Sequence, residues 1–425
     1  MRHIHTFSAM VLLVTLFLIF YSTLHLETTY GRRAGPESLL KHLSPQVHDS
    51  DVKAQSPKPQ SFTRPHPDVH NVSVSDGFRQ AIPQNTAYWN RLLHLALRNL
   101  DKGENPLRHD SHWYHCRESN LELLQTNVHD FTSYPVLFRD FLQGMNCRSS
   151  PVLIGQPNKC VSGEGEGANQ TFLLFAIKST PGNFERRQAV RETWGQEKVY
   201  QRGLRVHTVF LLGNSPPDDP DLGPLLSFEA KHFGDLLQWD FRESLLNLTL
   251  KMNMFLQWTL KHCPDVSFIF SGDDDVFVNT PALVSYLQSL KASKASQLYV
   301  GHVIGTANPL RDPNSKYYIP LSFYEGPYPA YAGGGGFLIS GVLLQPLYSV
   351  SHVIPFFPID DVYTGMCAKA LGVSPEAHMG FQTFDVKEQD RENLCVHKDL
   401  ILIHQRSPTQ TKKLWKGIHS PLLTC

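Results

Sequence analysis

Hydrophobic positions fall into two regimes along the chain. Up to about residue 83 they show no sustained period, apart from one long apolar run at 7–26, and Pro, His and Ser dominate 27–83. From 88 to 100 the segment YWNRLLHLALRNL has helical spacing, with Trp89, Leu92, Leu93, Leu95, Ala96 and Leu100 on one broad face. From 172 onward short apolar runs alternate with helical patterns. FLLFAI at 172–177 suits a strand buried on both faces. Helical spacing at 184–194, a strand at 205–212, a helix at 222–233, a strand at 235–241, a helix at 245–262 and a strand at 267–270 complete the pattern. Strands alternating with helices predict an α/β domain with a mixed, mostly parallel sheet covered on both faces. Ligands in such folds bind beyond the carboxyl ends of the strands.

The same pattern divides the chain into a tail at 1–6, a candidate transmembrane anchor at 7–26, a flexible stem at 27–85, an accessory region at 86–160 and a core domain at 161–425, which the resemblance given below implies is catalytic. The run at 7–26 contains no Asp, Glu, Lys or Arg and is about as long as a helix needs to cross a bilayer. Charge bias does not fix its orientation, since Arg2 precedes it and Arg32 and Arg33 follow. The sequons at Asn71, Asn169 and Asn247 all follow the span, which favours a lumenal body and makes these three the candidate glycosylation sites. Seven widely spaced cysteines without a C-x-x-C predict disulfides rather than zinc. Their odd count leaves one thiol free or joined to a second chain, so a homo- or hetero-oligomer stays open. With 39 basic and 39 acidic residues there is no global field for nucleic acid, which is set aside as a partner.

Four constellations could carry chemistry. Asp273, Asp274 and Asp275 follow the apolar Phe268-Ile269-Phe270 and precede Val276-Phe277-Val278. Carboxylates in such surroundings need a cation, and a divalent ion bridging to phosphate is the economical one. In strand geometry Asp273 and Asp275 project to one side and Asp274 to the other. Lys178 ends the first strand, and Arg186, Arg187 and Arg191 follow on a helix. Arg187 and Arg191, four apart, share a face that could hold a diphosphate or could be ordinary helix surface. The run from Tyr328 through Tyr331 to Gly333, Gly334, Gly335 and Gly336 offers bare backbone for a substrate to press against. Asp360 and Asp361 precede a helical pattern, where either could cap the helix or serve as a base.

These segments, in order, resemble the Golgi β-1,3-glycosyltransferase family, and within it the β-1,3-N-acetylglucosaminyltransferases that extend poly-N-acetyllactosamine. The motifs are FLLFAIKS, RRQAVRETWG, GDLLQWDF, NLTLK, GDDDVFVNT, KYYIP, YPAYAGGGGF and FPIDDVYTGMC. The resemblance implies a GT-A-like nucleotide-diphospho-sugar transferase fold in a single-pass type II protein of the Golgi membrane, its catalytic domain lumenal. It implies UDP-N-acetylglucosamine as donor and galactose-terminated glycans as acceptors, with inversion at the anomeric carbon. By the same resemblance Mn²⁺ binds at the cluster Asp273 to Asp275, with Asp275 and Asp273 the candidate ligands and Asp273 and Asp274 candidate donor contacts, the division among the three staying open. Lys178, Arg187 and Arg191 are candidate donor contacts from their positions. Tyr331, Gly334 and Gly335 form the substrate loop, and Asp361 is the base with Asp360 as fallback. Relatives that transfer galactose have Glu-Asp-Val where this chain has Asp360-Asp361-Val362, which favours N-acetylglucosamine. Departures are modest: Ser271 stands where many relatives have Lys, and Ala330 where many have Pro. A β-1,3-galactosyltransferase and a noncatalytic lumenal glycan-binding protein of the same fold are the alternatives.

Overall fold

The computed structural model describes residues 72–107, 112–161, 172–215 and 221–425. Its centre is an eight-stranded sheet whose strands are β1 (Val152–Ile154), β2 (Phe172–Lys178), β3 (Arg205–Asn214), β4 (Leu236–Arg242), β5 (Phe268–Asp273), β6 (Tyr299–Gly301), β7 (Gly336–Ser340) and β8 (Glu376–Ala377). Their spatial order is β1-β4-β3-β2-β5-β7-β6-β8. The β4-β3-β2-β5 block is parallel, while β1 and β7 run antiparallel to their neighbours. The mixed, mostly parallel α/β sheet expected from the periodicity is therefore present.

The unbroken apolar runs are explained by two cores. In β2, Leu173, Phe175 and Ile177 enter one core while Leu174 and Ala176 enter the other. In β3, Val206, Phe210 and Leu212 likewise oppose Val209 and Leu211. Alternation that would expose every second residue in a one-sided sheet here buries both sets. Helices α1 (Phe184–Glu192), α2 (Gly223–Phe233), α3 (Leu248–His262) and α4 (Asp360–Ala370) cover these faces. Pro224 opens the first turn of α2, and Gly234, with φ of 63°, ends it in the left-handed conformation that glycine adopts without a Cβ clash.

Helices at Tyr88–Asp101, Trp113–Asn127 and Val136–Gly144 bury Trp89, Leu93, Phe138 and Phe141 in the same core as α3. Trp89 Nε1 donates to the carbonyls of Pro355 and Phe356, both at 3.1 Å. Disulfides join Cys116 to Cys147, Cys160 to Cys263 and Cys395 to Cys425. The odd thiol is Cys367, which is free and buried.

Three expectations change. The predicted stem at 27–85 contains a packed element: a helix at Asp76–Ala81 buries Phe78 completely. Ser75 caps that helix, and its N–H and Oγ donate to the carbonyls of Ala370 and Lys369 at the far end of α4. A six-residue helix held by such distant partners leaves no period to read. The anchored Golgi-membrane location is also corrected: among the described residues no helix is long and apolar enough to cross a membrane, and the span at 7–26 lies outside them. Asn71 and Asn169 lie outside them as well, but Asn247 is buried, with Nδ2 donating to Asp140 and to the Arg242 carbonyl. Its amide is a structural donor there, not an accessible glycan acceptor.

Candidate active site

The order of the strands places the site. Sequential strands β2, β3 and β4 step away in one direction, whereas β5 returns to the other side of β2, so a crevice opens beyond the carboxyl ends of β2 and β5. Register sets Lys178 directly beside Asp273, and Gly336 on β7 opposite Gly272 on β5. Three of the four constellations thus meet at one end of the sheet.

Lys178 is buried and bridges two carboxylates, with Nζ 3.0 Å from Asp273 Oδ1 and 2.8 Å from Asp360 Oδ2. Burial alone would lower its pKa, but Asp273 and Asp360 outweigh that and raise it, so it stays charged. This internal bridge engages the ammonium expected to face the donor. Asp360 is thereby fixed, leaving Asp361 as the freer acid of the pair. Both are in the first turn of α4, where the helix dipole favours negative charge, and neither is the N-cap, which is Ile359. Asp361 Oδ1 accepts the Val362 N–H at 2.8 Å. Its Oδ2 lies against Gly334, where an added Cβ would come within 3.1 Å. Burial, then the charge of Asp360, pushes the Asp361 carboxyl up to about 7 against the pull of Lys178, a value suited to a base at neutral pH.

Within the acidic triplet Asp273 ends β5 and Asp274 and Asp275 lie in the turn that follows, so the turn rather than strand alternation sets their directions. Asp274 Oδ2 accepts hydrogen bonds from Ser179 Oγ at 2.6 Å and Asn183 Nδ2 at 2.9 Å, so it braces the loop after β2. Asp273 and Asp275 face His404, whose Nε2 is 3.9 Å from Asp273 Oδ2 and 3.3 Å from Asp275 Oδ1. Ligand atoms of these three residues lie within 4.8 Å of one another. Two carboxylates and an imidazole make a donor set that fits a divalent cation. His404 Nδ1 donates to the Thr383 carbonyl at 3.0 Å, the second contact that orients a metal-binding imidazole. Burial would raise the Asp275 carboxyl, yet His404 and Arg186 hold it below the usual range.

His404 is the residue that sequence reading missed. It follows a short strand at Leu402–Ile403 that pairs with Phe277–Val278, just past the triplet. The available signal was the apolar run ILI immediately before it, which resembles the strand ahead of the aspartates. The glycine run lies between the two halves of the site: Gly334 borders Asp361, and a Cβ on Gly335 would stand 3.2 Å from His404 Cβ. Tyr331, on a short strand with Ala332, is buried, and Gly365 of α4 packs against its backbone.

Arg187 and Arg191 are placed elsewhere than expected. They do share a face, but that face meets α2. Arg187 is wholly buried, bonding Glu229 at 2.8 and 2.7 Å and the carbonyls of Thr180 and Pro181 at 2.6 and 3.2 Å. Arg191 bonds Asp235 at 2.7 and 2.8 Å and pairs with Glu229 at 2.7 Å. Acidic partners forty residues downstream convert a supposed diphosphate face into a core ion-pair network. Neighbouring Arg186 reaches the acidic cluster instead, 3.2 Å from Asp275 Oδ2 and 3.5 Å from Asp274 Oδ1.

The family model for galactosyltransferase matches residues 185–379. N-acetyllactosaminide beta-1,3-N-acetylglucosaminyltransferase 2 of Mus musculus is 45% identical over 355 residues, spanning 80% of this chain and 86% of its own length. The Homo sapiens protein of that name is 44% identical over the same shares. A solved glycosyltransferase involved in glycosylation of the major capsid of PBCV-1 aligns at 14% identity with a TM-score of 0.29, covering 57% of this chain and 98% of its own, too slight a likeness to weigh.

Proposed function

The chain belongs to the β-1,3-N-acetylglucosaminyltransferase branch of the galactosyltransferase family, and from that membership we propose that it transfers N-acetylglucosamine from UDP-N-acetylglucosamine to the 3-hydroxyl of a terminal β-galactose, extending poly-N-acetyllactosamine with inversion. The observation that carries this reading is the pairing of an Asp273-Asp275-His404 set with a free-edged Asp361 across the bare backbone of Gly334 and Gly335.

Asp361 Oδ2 receives the acceptor hydroxyl proton as that oxygen bonds to the anomeric carbon and the bond to UDP breaks on the opposite face. Gly334 keeps the space beside that carboxylate clear. Lys178 holds Asp360 and Asp273 in place, so the base and the acidic cluster keep a fixed spacing. Asp273, Asp275 and His404 would hold the divalent cation, Mn²⁺ by the family resemblance, which when bound supplies positive charge against the departing diphosphate.

The test is incubation with UDP-N-acetylglucosamine, Mn²⁺ and N-acetyllactosamine, with UDP release and the product linkage measured together. A new β-1,3 linkage is expected. Transfer from UDP-galactose instead would assign the alternative donor, and a folded chain without turnover across an acceptor panel would mark a noncatalytic glycan-binding protein. Asp275→Asn should weaken Mn²⁺ binding by more than the roughly 10–100-fold typical of losing an outer-shell partner, read by electron paramagnetic resonance. Unchanged Mn²⁺ affinity in that variant would remove Asp275 from the ligand set.

A further inference from the structure

We propose that Arg186 is a donor-binding residue, its guanidinium taking the diphosphate of the nucleotide sugar beside the cation cluster. This rests on the nucleotide-sugar reading above and names the side chain that would recognise the phosphates. Of the three arginines on α1, Arg187 and Arg191 are committed to Glu229 and Asp235 at 2.7–2.8 Å. Arg186 differs in exposure and in grip. Its side chain is 36% exposed, and its contacts to Asp274 and Asp275, at 3.5 and 3.2 Å, are longer than the 2.7–2.9 Å of a tight charge-assisted bond.

The approach direction matters as much as the distance. Arg186 meets Asp275 at Oδ2, whereas His404 meets it at Oδ1, so the guanidinium flanks the candidate cation ligands without taking the oxygen that faces the imidazole. Lys178 similarly holds Asp273 by Oδ1, with Oδ2 turned to His404. Lys178, however, is 4% exposed and pinned between two carboxylates. Among the described residues that leaves Arg186 as the loosely held guanidinium at the cluster, with the planar fork that matches phosphate oxygens. Its pairing with two aspartates also offsets their mutual repulsion before a donor arrives.

Three titrations of the purified chain test this, on wild type, Arg186→Gln and Arg186→Lys: Mn²⁺ alone by electron paramagnetic resonance, then UDP and uridine at saturating Mn²⁺ by calorimetry. Arg186→Gln should bind UDP about tenfold more weakly, the size of one lost charged hydrogen bond. Uridine affinity should stay the same, Mn²⁺ alone should bind no more weakly, and Arg186→Lys should recover part of the loss. Undiminished UDP affinity in Arg186→Gln overturns the proposal. So does an equal loss for uridine, which would indicate a base contact or a disturbed fold. A wild-type chain that binds Mn²⁺ but no UDP would instead overturn the nucleotide-sugar reading, and this proposal with it.

Discussion

Asp361→Asn is expected to lower the transfer rate by roughly 10²–10⁴-fold, the usual contribution of a positioned general base, while leaving the fold intact. Asparagine keeps the volume, and its Oδ1 can still accept the Val362 N–H. It also removes a carboxylate that burial and Asp360 make costly to ionise. The sign of the pH dependence follows from the same shift. Transfer needs the ionised form, so wild-type turnover at saturating substrate should fall as pH drops through about 7. For stability the direction is opposite: a raised carboxyl pKa in the folded state means that the protonated form contributes stability at low pH, and this is lost as pH rises from the unfolded value toward about 7. Asp361→Asn should therefore be no less stable than wild type at pH 8. Initial rates from pH 5.5 to 8.5, with denaturation curves at both ends, measure both effects. Near-normal turnover in the variant would move the base assignment away from Asp361.

Arg187→Met is expected to act on stability, not on donor recognition. The wild-type guanidinium is completely buried and satisfies Glu229 and two carbonyls of the loop after β2. Removing it strands part of the Glu229 charge, and breaking a buried pair from one side costs roughly 3–5 kcal/mol. Arg191 remains on Glu229, so the loss should lie near the lower bound. Equilibrium denaturation gives the stability change, and UDP titration of the variant at low temperature gives the affinity. A stable Arg187→Met chain with weakened UDP binding would return Arg187 to the donor site. Paired with the Arg186 variants, this separates adjacent arginines that look alike in the sequence.

Much of the site was legible for local reasons. A strand end, a charge beside it and a glycine run before the next strand are short-range patterns, and each leaves its mark in a few letters. Lys178, the acidic triplet, Gly334, Gly335 and Asp361 were found in this way, and the structure brings them together. Strand alternation was the expected reason for Asp273 and Asp275 to share a side, but β5 ends at Asp273 and the turn after it brings Asp275 round. Expectations changed where a charged or amide side chain had a distant partner. Arg187 and Arg191 looked suited to phosphate until α2 supplied Glu229 and the residue just before β4, Asp235, joined it. Asn247 matched a glycan acceptor until Asp140 claimed its amide.

The sequence by itself determined the α/β alternation, the two-sided burial of the central strands and the family to which the chain belongs. Those depend on local period and on the identity of contiguous motifs. Only the tertiary structure decided which charges serve the site. It set His404 against Asp275 by pairing two-residue strands far apart in the chain, fixed Asp360 on Lys178, and turned Arg186 toward the cluster while burying Arg187. An ionisable side chain is defined by what neutralises it, and here those partners lie on other elements.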